Sequence, residues 1–327
     1  NDVPMIQGAH IGIGIRGKEG SASVLASDIA ISQFRYLQSL MFIHGRKAYR
    51  RLALFLGYFM YKSMALGWAY IVNGFWENFN GDVPYAGLVD ATYAPLTSWS
   101  VAFVLAFDTD DGDEVSDDGH RCLALTDPLR FYSDGPKNLG FNVYLFTKWI
   151  LTATVHGLTV WLVCVRSVAS REEIHSDTRV FWIASFNAFT CLLIVVHVRL
   201  WFVSHMRMFR GRTWVEKLGG MALVAELLAY FVGFALFSLL LQAFPEPRHG
   251  GGPLAPGCED CTDDNLQKTA DNSYVNVPVP LEAIRYWQFW VCNIAIPLAL
   301  LVFDIVMRHT KECLRGKYPE SLIRYYV

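Results

Sequence analysis

Val180–Val203 reads VFWIASFNAFTCLLIVVHVRLWFV, a run whose single Lys, Arg, Asp or Glu is Arg199. Crossing the hydrocarbon core of a bilayer takes a helix of about 20 mostly apolar residues, and this stretch is long enough. Comparable runs stand at about 52–75, 85–107, 143–165, 217–243 and 286–307. The predicted fold is therefore mainly α, a polytopic membrane bundle of six spans. Composition agrees: 53% of residues are hydrophobic and 18% charged, against about 25% charged in soluble domains. The 28 Lys+Arg and 30 Asp+Glu leave a net charge of -2, without the basic excess of a nucleic-acid binder. Seven cysteines in 327 residues are too few for a disulfide scaffold. The chain opens on Asn1 with no signal-peptide pattern, and it is expected to be a piece of a longer protein.

Basic residues between spans set the orientation, because Lys and Arg are retained on the cytosolic side. Arg46, Lys47, Arg50 and Arg51 precede the first run, Arg207, Arg210, Arg212 and Lys217 separate the fourth from the fifth, and Arg308, Lys311, Arg315 and Lys317 follow the last. The connection 76–84 holds none, and 166–179 and 244–285 hold few. Both ends of a six-span protein lie on one side, and the charges put that side in the cytosol. The domains expected are a cytosolic piece over 1–45 and a transmembrane domain over 46–327 with a short cytosolic tail.

Residues 1–45 read differently. His10–Ile15 and Ala26–Ile31 are short β-type runs separated by Gly17, Gly20 and serines, the pattern of the edge of an α/β domain. The piece is too short to own a core and should complete a larger domain. From about 35 to 75 there is no Pro and the pattern is helical, so one rigid helix is expected to lead into the first span.

Several motifs resolve to ordinary readings. The acidic stretch from Asp108 to Asp118 misses the Gly and Glu positions of an EF-hand and is read as a solvated loop. Gly12-x-Gly14-x-x-Gly17 matches a dinucleotide-binding fingerprint, but its glycines fall within and just after a strand and no acidic partner follows at the right distance. Cys258-x-x-Cys261 has no second ligand pair for zinc, and on the far side of the membrane a disulfide between them is expected. Cys164, Cys191 and Cys292, with Cys122 and Cys313, are read as reduced packing or surface residues.

An ionisable group at the centre of a span costs about 2.5–3.5 kcal/mol on insertion, so each is a functional suspect. Lys62 is the sharpest, since it stands mid-span where its stem cannot snorkel, and it is assigned a transport or coupling role. His156 and Glu226 are also deep and are expected to bond between helices. Lys148, Arg199 and Asp304 stand near span ends, where snorkelling is expected; Asn293 and Pro297 are expected to loosen the last helix locally.

Six motifs in unbroken order, Asn1–Gln7, Ala9–Ile15, Gly17–Gly20, Ala26–Ile31, Gln33–Arg35 and His44–Arg46, resemble the end of the phosphorylation domain of type IV P-type ATPases, the phospholipid flippases. Tyr58–Ser63, Phe79–Gly81, Thr97-Ser98, Phe107-Asp108, Asp127-Pro128, Tyr132 and Phe141-Asn142 extend the resemblance, which weakens towards the C-terminus. It implies a HAD-like, Rossmann-type phosphorylation domain whose C-terminal edge precedes the family's last six transmembrane helices. It further implies ATP-driven movement of phospholipid from the exoplasmic to the cytosolic leaflet through an aspartyl-phosphate cycle, with magnesium and ATP bound mainly by upstream parts. Asn1 and Asp2 resemble the end of the motif bordering the phosphoryl and magnesium site, Asp2 as an indirect metal contact. Because the phosphorylated Asp and the nucleotide domain are not in this sequence, the piece alone should be inactive. Lys62, Ser63, Thr97, Ser98 and Ser100 match positions implicated in handling the lipid. The resemblance also implies a small two-span accessory subunit and a plasma, Golgi or endosomal membrane.

The sequence departs from that pattern at Ser63, where Asn is usual, and at Ser100, where a helix-breaking proline is usual and Pro95 stands five residues earlier. A shifted helix break would alter substrate recognition or abolish transport. The alternative implied by such erosion is a non-transporting, flippase-like membrane module regulating a fused signalling enzyme such as a guanylate cyclase.

Overall fold

In the computed structural model, residues 3–17, 22–76, 78–79, 83–85, 87–107, 140–168, 178–203, 224–230, 232 and 283–314 are described. They fall into two compact units, one taking the residues up to Leu54 together with 140–142, the other those from Phe55 to 107 and from Val143 onward. Asn1, Asp2, Cys258 and Cys261 lie outside the described residues, as does most of the fifth apolar run.

The first unit holds a parallel strand pair, β1 (Ile13–Ile15) and β2 (Ile29–Ile31), with Ile13, Gly14 and Ile15 opposite Ile29, Ala30 and Ile31. Parallel strands need a crossover, here containing the short helix α2 (Ala22–Leu25), while α1 (Val3–Gly8) precedes β1. Gly12 and Gly14 of the fingerprint serve this packing. A Cβ on Gly14 would stand 2.7 Å from the Ser23 carbonyl oxygen, and one on Gly12 would stand 2.8 Å from that of Ile6. Gly12 N donates to Asp28 Oδ2 at 2.8 Å, and its carbonyl accepts from Asp28 N and Ile29 N. The expected α/β edge is present, and these glycines bring backbone close to backbone.

Helical structure then runs through α3 (Tyr36–Ser39), a six-residue π-helical turn (Leu40–Gly45) and α4 (Arg46–Trp76), where the Pro-free pattern placed it. The second unit contains the rest of α4 with α5 (Gly87–Phe107), α6 (Val143–Val168), α7 (Thr178–Val203) and α8 (Trp287–Leu314). Central among these, α7 packs on α5, α6 and α8. Phe189 and Leu192 of α7 join Tyr61, Val160 and Phe289 in its core.

By length and composition α6, α7 from Val180 and α8 up to Met307 are each able to cross a membrane. Helices α4 and α5 coincide with the first two predicted spans but are diluted by polar residues such as Lys62, Asn73, Asp90 and Thr97. On α8, Trp290, Ile294, Leu298 and Val302, spaced four apart, are each more than half exposed or close to it. In water so long an apolar stripe would be a liability; against lipid tails it needs no cover.

Where α6 crosses α4 the backbones touch. A Cβ on Gly157 would lie 2.7 Å from the Ala65 carbonyl oxygen and 3.1 Å from Trp68 Cβ, the close approach that small residues permit between membrane helices. Gly157→Leu in the full-length protein is therefore expected to cost about 1–3 kcal/mol through overpacking. Detergent-solubilised protein should lose thermal stability and monodispersity; an unchanged melting profile would contradict this contact.

Candidate functional site between the polar helices

Among the described residues of the second unit, ionisable side chains inside the helices gather in three polar clusters, and each joins helices that apolar packing alone would leave free to slide.

The first is built around Lys62, which is 5% exposed. Its Nζ donates to Thr97 Oγ1 at 3.0 Å and to Ser98 Oγ at 2.7 Å on α5, and it lies 5.6 Å from the centre of the Phe59 ring. Tyr93 Oη in turn donates to the Lys62 carbonyl at 2.9 Å. Thr97 Oγ1 can accept from the ammonium because its own hydrogen goes to the Tyr93 carbonyl at 2.7 Å. An ammonium has three N–H donors, so one has no protein partner among the described residues, and no carboxylate among them pairs with it. Ser63, next in sequence, is exposed and makes none of these contacts.

Ser100 lies one turn beyond Thr97 and keeps different company. Its Oγ is 2.8 Å from the Leu96 carbonyl oxygen, 2.6 Å from His197 Nε2 on α7 and 2.7 Å from Glu226 Oε2. His197 Nδ1 is 2.7 Å from the Leu193 carbonyl oxygen. Of the five residues assigned to lipid handling, the structure thus brings together Lys62, Thr97 and Ser98, places Ser100 in a neighbouring cluster, and leaves Ser63 outside both.

The third cluster corrects the expectation for Arg199 and Asp304. Neither snorkels: both are buried and they pair with each other across α7 and α8. Asp304 Oδ1 also lies 3.7 Å from His156 Nε2, and His156 Nδ1 is 2.7 Å from Tyr61 Oη. The guanidinium sits 5.4 Å from the centre of the Trp149 ring. Helices α4, α6, α7 and α8 all contribute. The deep His156 and Glu226 do bond between elements, as their positions predicted.

Pro95 does not interrupt its helix, since α5 runs from Gly87 to Phe107 through it. Its missing N–H leaves the Ala91 carbonyl without that intrahelical donor, while the Thr92 and Thr97 hydroxyls donate to the Val89 and Tyr93 carbonyls on either side of it. Likewise α8 continues through Pro297, with Asn293 Nδ2 donating to Phe289 O at 2.8 Å and to Asn187 Oδ1 at 2.9 Å. Cys164, Cys191 and Cys292 are free and buried, matching their reading as packing residues.

His197 and Tyr61 are the members that sequence reasoning passed over. His197 carried the same signal as His156, an imidazole deep in an apolar run; Tyr61 stood inside the Tyr58–Ser63 motif, but nothing there marked its hydroxyl as the partner of a buried imidazole.

The family description "Phospholipid-translocating P-type ATPase C-terminal" matches residues 24–317. The chain is 30% identical over 247 residues to "Phospholipid-transporting ATPase 6" of Arabidopsis thaliana, covering 73% of this chain and 18% of that protein. It is 37% identical over 164 residues to "Phospholipid-transporting ATPase IC" of Xenopus tropicalis, covering 50% and 12%. With the Homo sapiens protein of the same name the identity is 32% over 208 residues, covering 61% and 15%. The chain therefore spans less than a fifth of the length of each of these relatives.

Proposed function

Because this chain belongs to the phospholipid-translocating P-type ATPase family, we propose that it carries the lipid-handling helices of an ATP-driven flippase, with Lys62 meeting the anionic part of the headgroup. The observation behind this reading is the Lys62 site itself. A cation drawn into the bundle, held by two hydroxyls, with a donor to spare and no carboxylate partner among the described residues, suits a transient anion such as a lipid phosphate. Thr97 and Ser98 keep the ammonium on the α5 side of α4, and Ser100 supports that wall of the site. Ser63, exposed beside the lysine in sequence, is assigned a later contact along the lipid's path.

In this reading the protein is a multi-pass translocase of six spans after a cytosolic piece over 1–45, both ends of the chain being cytosolic. Lipid moves from the exoplasmic to the cytosolic leaflet of a plasma, Golgi or endosomal membrane. The energy comes from an aspartyl-phosphate formed outside this chain, where ATP and magnesium are bound; Asn1 and Asp2 would border that site. The lumenal connections 166–179 and 244–285, the latter with a Cys258–Cys261 disulfide, offer docking surfaces for a two-span accessory subunit.

Full-length protein incubated with labelled ATP should form a hydroxylamine-sensitive phosphoenzyme whose decay is accelerated by the phospholipid it carries. Absence of that intermediate, or decay indifferent to every phospholipid tried, would contradict the reading.

A further inference from the structure

The hydrogen count around Ser100 does not close with the usual protonation states. His197 Nδ1, 2.7 Å from the Leu193 carbonyl oxygen, must carry a hydrogen, because two lone pairs would otherwise face each other. In a neutral imidazole that leaves Nε2 as an acceptor. Ser100 then has one hydrogen for three acceptors at 2.6–2.8 Å: His197 Nε2, Glu226 Oε2 and the Leu96 carbonyl. With Glu226 ionised, at least one of the two short side-chain contacts would be lone pair against lone pair. One further proton gives each of these two side-chain contacts a hydrogen, and the Leu96 carbonyl, a backbone acceptor within α5, is left to share the Ser100 hydrogen with His197 Nε2.

We propose that Ser100, His197 and Glu226 form a proton-binding site inside the helix bundle, with the proton held on Glu226. The chain of donors then runs from Glu226 Oε2 to Ser100 Oγ, from Ser100 to His197 Nε2, and from His197 Nδ1 to the Leu193 carbonyl. Two observations put the proton on the carboxyl. Glu226 Oε1 is buried with no hydrogen-bond partner among the described residues, which an ionised carboxylate tolerates poorly and the carbonyl of a neutral acid tolerates better. The alternative, imidazolium with carboxylate, sets two charges 3.8 Å apart in an apolar bundle without direct contact in the best geometry. His197 is 2% exposed and Glu226 10%, so water has little access to either.

Neighbouring elements bring other titratable groups to this region. The Tyr58 hydroxyl of α4 is buried without a hydrogen-bond partner among the described residues, and Tyr93 of α5, two turns before Ser100, bonds the Lys62 carbonyl of α4. Arg199, two residues past His197, is committed to Asp304 of α8. None of these supplies the missing hydrogen in the structure. The hydrogen bonds that join Ser100 of α5 to His197 of α7 and to Glu226 thus depend on one exchangeable proton.

The readout is spectroscopic, so the proposal stands or falls separately from lipid transport. Infrared spectra of the full-length protein in nanodiscs, compared with Glu226→Gln, should show a protonated-carboxyl C=O band worth one carboxyl that the variant lacks. Glutamine keeps the size and donates permanently to Ser100, so the fold should hold. Ser100→Ala, tested independently, should shift the same band by removing its hydrogen-bond partner. A spectrum unchanged in Glu226→Gln, a band unmoved in Ser100→Ala, or an imidazolium signal from His197 in place of the acid band would each overturn the proposal.

Discussion

Lys62→Ala in the full-length protein is expected to raise the lipid concentration for half-maximal stimulation of ATP hydrolysis by about 10- to 100-fold, corresponding to the roughly 1.5–3 kcal/mol of a hydrogen bond to a charged group. Folding should survive. Removing the ammonium strands no buried partner, because Thr97 keeps its bond to the Tyr93 carbonyl and Ser98 is exposed. Desolvating a lysine costs stability, so its loss should leave the melting temperature unchanged or slightly higher. Lys62→Arg should recover only part of the response, since a planar fork does not reproduce a compact ammonium set between two hydroxyls. Titrating ATPase activity with phospholipid in the three proteins checks this; equal half-saturation in wild type and Lys62→Ala would remove the lysine from lipid recognition.

The second large effect concerns Asp304. Asp304→Ala leaves Arg199 buried with its partner gone, and breaking a buried ion pair from one side costs about 3–5 kcal/mol. Poor expression or aggregation on solubilisation is expected, with His156 and Tyr61 disordered alongside. Replacing both partners, as Arg199→Met with Asp304→Leu, removes the stranded charge and should restore most of the thermal stability. If Asp304→Ala is as stable as wild type, the pair is an incidental contact. The double variant also separates structure from transport, because a stable but inactive protein would assign the network a part in the cycle.

Much of this architecture can be read from the chain, and the reasons are local. The apolar runs over 143–165, 180–203 and 286–307 became α6, α7 and α8 because length and hydropathy decide a span before any tertiary contact forms. Lys62 could be singled out because a charge at mid-span is costly wherever the other helices lie. The pairing of Arg199 with Asp304 was not legible: both stand near the ends of their apolar runs, where a snorkelling side chain and a buried pair look alike, and only the packing of α7 on α8 distinguishes them. Pro95 misled for a related reason. A proline inside a helix pattern signals a break, yet it removes one backbone hydrogen bond, that to the Ala91 carbonyl, and α5 continues on the remainder. Ser100 was noticed for what it replaces, whereas its contacts with His197 and Glu226 arise from three separate stretches of chain.

ATP-dependent movement of a labelled phospholipid across sealed vesicles, with full-length wild type and Lys62→Ala reconstituted in parallel, decides whether Lys62 serves lipid transfer. Wild type should transfer lipid in an ATP-dependent manner, and Lys62→Ala should lose that transfer at lipid levels that saturate the wild type. ATP turnover by the wild type with no lipid transfer, or equal transfer by both proteins, would contradict that role.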